Sequence, residues 1–260
     1  MDQALISVHP DAKIADDVII EPFVKIYDNV EIGEGSWIGS NVTIMQGARI
    51  GKNCKIFPGA VISAIPQDLK FKGEDTIAEI GNNTTIRECV TMNRGTIAKG
   101  KTSVGNDCLL MAYVHVAHDC CIGNNVIINN SVGLAGEIVI DDWVIMGGMC
   151  GVHQFVHIGE HSFVGGGSLV GKDVPPYVLS GRNPLSYAGI NVVGLKRRGF
   201  SEEKIKDIHD IYRIIYQKGL NITQALQMID SEIKDGPVKS LISDFVRNSD
   251  RGIIKGLSGK

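Results

Sequence analysis

The chain has 260 residues, 43% of them hydrophobic but only 6% aromatic, with 31 glycines and a formal net charge of −3. That length allows one large domain or two modest ones, and the glycine-rich, aromatic-poor balance suits a stack of repeats better than an aromatic-packed globule. The slightly acidic charge argues against a general nucleic-acid binder. No apolar run reaches the length of a membrane span and the N-terminal MDQALISVHPDAKI lacks a secretory signal pattern, so a cytoplasmic location is expected.

From Val8 an aliphatic residue recurs every six positions, at Ile14, Ile20, Ile26, Ile32, Ile38, Ile44, Ile50, Ile56 and Ile62. The register breaks where Asp68 and Glu74 occupy the aliphatic slot, and it returns at Ile80, Ile86 and Met92. Residues 63–79 therefore read as a loop thrown out of a regular stack, either functional or a tolerated insertion. A second interruption, at 93–102, puts Ala98 in the slot. From Val104 to Val170 the series is unbroken, and so long a run has a chance probability on the order of 10⁻⁵. A period of six fits neither an amphipathic helix nor a lone strand; it belongs to a solenoid of short strands joined at corners.

Two residues before each aliphatic stand small or β-branched residues such as Cys108, Val114, Cys120 and Val126, suited to an inward corner. Glycines such as Gly105, Gly123 and Gly147 directly follow the aliphatic, where a tight turn is expected. Three hexads per coil give an 18-residue step with parallel strands stacked on one another. Of the six cysteines, Cys54, Cys108, Cys120 and Cys150 fall in the small inward slot, and Cys89 and Cys121 lack a zinc-type C-x-x-C spacing. Buried, reduced thiols are the expected state.

Past Lys172 the hexads fail at VPPYVLSGRNPLSYAG, an exit segment punctuated by proline and glycine. Ser201 is placed to cap an amphipathic helix, SEEKIKDIHDIYRIIYQKG, that Gly219 would end. ITQALQMIDSEIKD and PVKSLISDFVRNS read as two further helices. From Lys196 onward the charge is +4 against −7 for the rest, a hint that the helical end meets something anionic.

The densest polar cluster is VHVAHDCCIG, with His115, His118 and Asp119 at one corner. An 18-residue step stacks His118 beside Gly136 and Asp119 beside Glu137, about 4.8 Å away. An imidazole next to a backbone amide is what acyl transfer needs: a base for the nucleophile's proton and a donor for the developing oxyanion. Asp119 would orient the ring or stabilise the imidazolium, or would simply be a solvated corner residue.

The stretches QDLKFKGE, VTMNRGT, HVAHDC, GGMCGVHQF, DVPPYV and GLKRRGF, in that order on a hexad scaffold, closely resemble the UDP-N-acetylglucosamine O-acyltransferase family, which opens lipid A synthesis. The resemblance implies a left-handed parallel β-helix of hexapeptide repeats with a small α-helical C-terminal domain, divided here as 1–188 and 189–260. It also implies a homotrimer with active sites between subunits and no cofactor or metal. The donor would be an (R)-3-hydroxyacyl-acyl carrier protein and the acceptor the glucosamine 3-hydroxyl of UDP-N-acetylglucosamine; nothing in the sequence excludes a 3-amino sugar nucleotide, giving an amide.

By motif, His118 would be the general base, Asp119 its partner and Gly136 the oxyanion donor. Asp68 and Lys70, with Gln67 nearby, would meet the sugar nucleotide. His115, Glu137, His153 and Gln154 would line the cleft, and Asn191, Arg197 and Arg198 would hold the uridine diphosphate end. Gly166 would set how far the acyl chain extends, although as one of a glycine run it also reads as a repeat turn. Glu137, Val193 and Asn93 depart from the family's usual histidine, carboxylate and histidine. Rival readings are a γ-type carbonic anhydrase with zinc on His115, His118 and either His153 or His157, a non-catalytic scaffold, and a related acyltransferase acting on an N-acylated glucosamine.

Overall fold

The computed structural model describes residues 5–256. The first four residues of MDQALISVHPDAKI and the last four of the basic C-terminal end, including the Lys260 counted in its charge, lie outside them. The hexads form three sheets of nine, eight and ten strands, and strands three apart in sequence are neighbours throughout the stack. The chain thus winds as a three-sided, left-handed parallel β-helix. Regular coils step by 18 residues, pairing His115 with Gly133, Gly133 with Gly151, and Gly151 with Leu169. The insertions lengthen two coils while the aliphatic column stays aligned, Ile50 pairing with Ile80 and Ile86 with Leu110; the register slips locally past Ile62, where Ala64 pairs with Asn93.

The aliphatic column forms the axis. Ile38, Ile44, Ile56, Ile62, Leu110 and Ile128 are completely buried. In the first described strand, Val8 is 41% exposed. The small slot is buried too, and its cysteines are thiols. Burial pushes Cys108 up to about 11 and Cys120 to about 12. The Cys108 thiol donates to the Gly123 carbonyl at 3.1 Å and the Cys120 thiol to that of Ala135 at 3.1 Å.

Glycines that follow the aliphatics, such as Gly105 and Gly147, serve close stacking and not the turn. A Cβ on Gly105 would run into the Gly123 carbonyl, and one on Gly147 into the Gly166 amide. The left-handed backbone comes two positions later, at residues such as Asp119, Asn125 and Glu137, with φ of 61°, 56° and 60°. Turn and close approach both favour glycine, so sequence alone did not separate them.

The exit segment also differs from expectation. Val178–Gly181 continues the third sheet, pairing Phe163 with Leu179, before Ser186–Ile190 reverses against it. Backbone pairing therefore carries β structure through the expected boundary at residue 188. A short helix, α1 (Val192–Arg197), follows and holds most of GLKRRGF. The helices α2 (Glu202–Gln217), α3 (Ile222–Glu232) and α4 (Pro237–Arg247) then pack together. Ser201 caps α2 and Gly219 lies just past its end at φ 69°. None of these helices is long and apolar enough to cross a membrane. The C-terminal tail returns to the last coil, where Ile254 donates to the Asp173 carbonyl.

Because a new Cβ at Gly105 meets backbone, which cannot swing aside, Gly105→Ala should cost about 1–3 kcal/mol. Gly181→Ala, which meets nothing within 4 Å, should leave the thermal unfolding midpoint within a degree or two of the parent.

Candidate active site

His115 and Val116 end a strand of the first sheet, and Cys121 opens one of the second. The four-residue corner between them, Ala117 to Cys120, carries His118 and Asp119. Asp119 is fully buried and His118 nearly so. A carboxylate out of water is costly unless its lone pairs are filled. Here the Thr96 amide donates to Asp119 Oδ1 at 2.9 Å and the Thr96 hydroxyl to Oδ2 at 2.6 Å. The Thr96 hydroxyl accepts from the Ala98 amide, which leaves its proton for the carboxylate. The Asp119 amide donates in turn to Thr102 Oγ1 at 2.8 Å. Burial raises the Asp119 carboxyl, but the hydrogen bonds from Thr96 and His118 outweigh it and hold the pKa below the ordinary carboxylate value.

An ionised Asp119 can only accept, so the 2.8 Å contact between His118 Nδ1 and Asp119 Oδ2 assigns the proton to Nδ1. The Nε2 lone pair is then left for the cleft. Asp68, on the first insertion, places Oδ2 3.9 Å from Nε2, too far for a hydrogen bond. On the next coil, a Cβ at Gly136 would sit 2.6 Å from both Nε2 and Cε1 of His118. Only glycine leaves room for the imidazole there.

The edge between the second and third sheets shows what Gly136 lacks. There, four successive corner amides are capped by the side chain one coil on: Lys52 N by Asn82, Asn82 N by Asn106, Asn106 N by Asn124 and Asn124 N by Asp142, at 2.7–2.9 Å. On the His118 edge the equivalent residues are His118, Gly136 and Gln154. Gln154 reaches toward Glu137 Oε1, at 3.4 Å, and no described protein acceptor takes the Gly136 amide. A free amide beside an unprotonated imidazole nitrogen is a preorganised place for negative charge to develop.

A cleft of about 740 Å³ opens over this edge, lined by Gln67, His115, His118, Gly136, His153 and Gln154 among others. His115 bonds Thr91 through Nδ1 at 2.7 Å, and burial holds its pKa below the ordinary value. His153 is exposed, with Nδ1 against the Gln154 carbonyl at 3.0 Å. Lys70 is exposed on the loop, where its amide caps Asp68 Oδ1 at 2.9 Å. Asn93, where the family has a histidine, is buried and donates to the Ile65 carbonyl at 3.0 Å, pinning the base of that loop.

The remaining expected residues lie elsewhere in the chain. Gly166 sits on the edge between the third and first sheets, where an added Cβ would be 3.2 Å from the Gly148 carbonyl. Asn191 caps α1 through Gly194 N at 3.2 Å and donates to the His161 carbonyl at 2.9 Å, so both ends of its amide serve the fold. Arg197 is exposed. Arg198 lies over Trp143 and donates to its carbonyl at 3.0 Å, on the edge between the second and third sheets. The histidines of the zinc reading are turned to separate partners, His157 to Asp141 at 2.9 Å. Among the described residues no group of three or more His, Cys, Asp or Glu is arranged to hold a metal. Thr96, Thr102 and Thr91 escaped the sequence reading; only the placement of the second insertion beside the HVAHDC coil pointed toward them.

Residues 173–254 match the family model described as UDP N-acetylglucosamine O-acyltransferase, domain 2, and residues 11–44, 29–64 and 101–136 match the bacterial transferase hexapeptide. An acyl-[acyl-carrier-protein]–UDP-N-acetylglucosamine O-acyltransferase of Burkholderia mallei is 45% identical over 196 residues, covering 73% of this chain and 74% of that one. The crystal structure of a UDP-N-acetylglucosamine acyltransferase from Bacteroides fragilis superposes with a TM-score of 0.95 at 53% identity, covering 98% of this chain and 100% of the other. The Francisella novicida enzyme gives 0.94 at 44% identity, covering 98% and 94%.

A carboxyl whose pKa is lowered on folding contributes stability above its unfolded value and loses it as pH falls through the folded one. Thr96→Val removes one of the donors that lower Asp119, so its unfolding midpoint should lie below the parent's near pH 7 and the gap should narrow as pH falls toward 3. Thermal unfolding midpoints measured from pH 7 down to 3 check this; a gap that stays constant or widens in acid would count against it.

Proposed function

Because the chain belongs to the UDP-N-acetylglucosamine O-acyltransferase family, we propose that it moves an (R)-3-hydroxyacyl chain from acyl carrier protein to the glucosamine 3-hydroxyl of UDP-N-acetylglucosamine. This is the cytoplasmic opening step of lipid A synthesis that the sequence motifs imply. The observation that carries the reading is the close approach of the Gly136 backbone to the His118 ring, where a Cβ would stand 2.6 Å from Nε2, with no described acceptor on the Gly136 amide.

In this mechanism Nε2 takes the proton of the sugar hydroxyl as its oxygen forms a bond to the thioester carbonyl carbon. The carbonyl π electrons move onto oxygen, and the Gly136 amide donates to that charge. Collapse of the tetrahedral intermediate restores the carbonyl and breaks the carbon–sulfur bond. The departing sulfur takes the proton back from Nε2, which regenerates neutral His118. Asp119 holds the Nδ1 proton throughout, and Asp68 offsets the transient positive charge on the ring. Gln67, Lys70, His115, Glu137, His153 and Gln154 contact the two substrates around this centre, and Gly166 leaves room for the distal acyl chain.

Arg197 and Arg198 stand on a different edge from His118, so one subunit alone does not bring them to the cleft. A homotrimer with its sites between subunits reconciles the two, with the arginines of one chain meeting the diphosphate at the cleft of its neighbour. Asn191 serves there by fixing α1.

Incubation with UDP-N-acetylglucosamine and a ladder of 3-hydroxyacyl carrier proteins, read by mass spectrometry, should yield a 3-O-acylated sugar nucleotide with one preferred chain length. His118→Ala should remain folded and lose roughly 10²–10⁴-fold in kcat. Retained transfer in that variant would remove His118 from its role. Absence of any acylated product from the parent would sink the reading as a whole.

A further inference from the structure

The edge between the second and third sheets carries a column of rings. Trp143, His161 and Tyr177 take the same left-handed corner on successive coils, with φ of 63°, 58° and 65°. Each is fixed there by its amide, which donates to the coil before: Trp143 to Asn124, His161 to Asp142 and Tyr177 to Glu160, at 2.8–3.0 Å. The rings stack, Trp143 on His161 at 6.1 Å and His161 on Tyr177 at 5.7 Å, and Phe200 meets His161 edge-on at 5.0 Å. Arg198 caps the column, its guanidinium 5.3 Å from the centre of the Trp143 ring. Two atoms here are buried without a described partner, Arg198 Nη1 and His161 Nδ1. Burial, together with the Arg198 and Lys204 charges and against the pull of Asp142, lowers His161 to about 4, so the ring is neutral at pH 7. Arginine can only donate, and a neutral imidazole keeps one lone pair, so the two orphaned atoms are chemically complementary.

We propose that Trp143 and His161 are positioning residues for the nucleotide end of the acceptor. Together they seat the Arg198 guanidinium, Trp143 with its ring face and its carbonyl, His161 as an uncharged acceptor for Nη1. This rests on the reading that Arg198 meets the diphosphate at the cleft of a neighbouring subunit. A guanidinium has five N–H donors. With Nη1 and one Nη2 hydrogen given to the seat, Nε and the other Nη2 hydrogen remain, a fork that grips phosphate oxygens in two parallel bonds. A long side chain already held in one place also loses less rotamer freedom when the diphosphate arrives. Indole gives the strongest face for a cation, and a neutral His161 behind it adds no opposing charge.

The test is steady-state kinetics of Trp143→Leu and His161→Phe, each alone and combined with Arg198→Ala. His161→Phe keeps a ring in the stack and removes only the acceptor, so a purely structural role would leave it silent. Each single variant should raise KM for UDP-N-acetylglucosamine roughly three- to tenfold, with kcat and the KM for the acyl donor retained. Trp143→Phe, which keeps an aromatic face, should recover part of the loss. In the Arg198→Ala background neither change should add a further penalty. A second readout needs no acyl donor. The chain has two tryptophans, so Trp37→Phe leaves Trp143 as the sole indole, and titration with UDP should change its emission unless Arg198 is replaced by alanine. An unchanged KM in either single variant, or a penalty that persists in full without Arg198, would overturn the proposal. An emission change in a parent that forms no acylated product would uphold the seat and place the failure in the acyl-transfer reading.

Discussion

Each coil passes its backbone hydrogen bonds to the next across about 4.8 Å, and that spacing decides what can meet at an edge of the prism. A residue is held against the one 18 positions later, as His115 pairs with Gly133 and Val116 with Leu134. Side chains on neighbouring coils then compete for one narrow space. Along the asparagine edge the space is filled by carboxamides that cap the amides beneath them. At His118 the space above the ring belongs to a glycine, and the amide of that glycine is left open. The same ladder that builds the stack thus produces both an unfilled donor and the room for an imidazole beside it.

The second requirement is a carboxylate kept ionised without water. Asp119 sits at a left-handed corner, φ 61°, which turns its side chain toward the second insertion. Thr96 supplies two donors from that insertion, and His118 the third. The 93–102 interruption is therefore part of the site: it fills the lone pairs of Asp119 and so fixes which imidazole nitrogen carries the proton. The first insertion brings Asp68 to the other nitrogen, and Asn93 and Arg94 hold the base of that loop through the carbonyls of Ile65 and Ala64. Both breaks in the hexad register converge on a single histidine.

Much of this was legible beforehand because a period of six carries three-dimensional information. The columns Val104 to Val170 named the buried axis, and the 18-residue step put Gly136 on His118 before any coordinates. What stayed hidden lay where counting stops. Thr96 is inside an insertion, with no register to place it. Thr102 closes the same interruption, and its hydroxyl takes the Asp119 amide only once the coil is wound. Asn191 was expected at a nucleotide, but the short helix it caps was not foreseen, since six residues carry too little periodicity to announce themselves. The separation of Arg198 from His118 onto different edges also needed coordinates, because only the course of the chain after the last hexad decides where GLKRRGF lands.

The account stands on the protonation pattern at His118, and nitrogen NMR of ¹⁵N-histidine-labelled protein at neutral pH reads it directly, with His118→Gln to assign the signals. A neutral ring with the proton on Nδ1 and a free Nε2 is the predicted result. A proton on Nε2 would place a donor where the base must be, and would contradict the account at its centre.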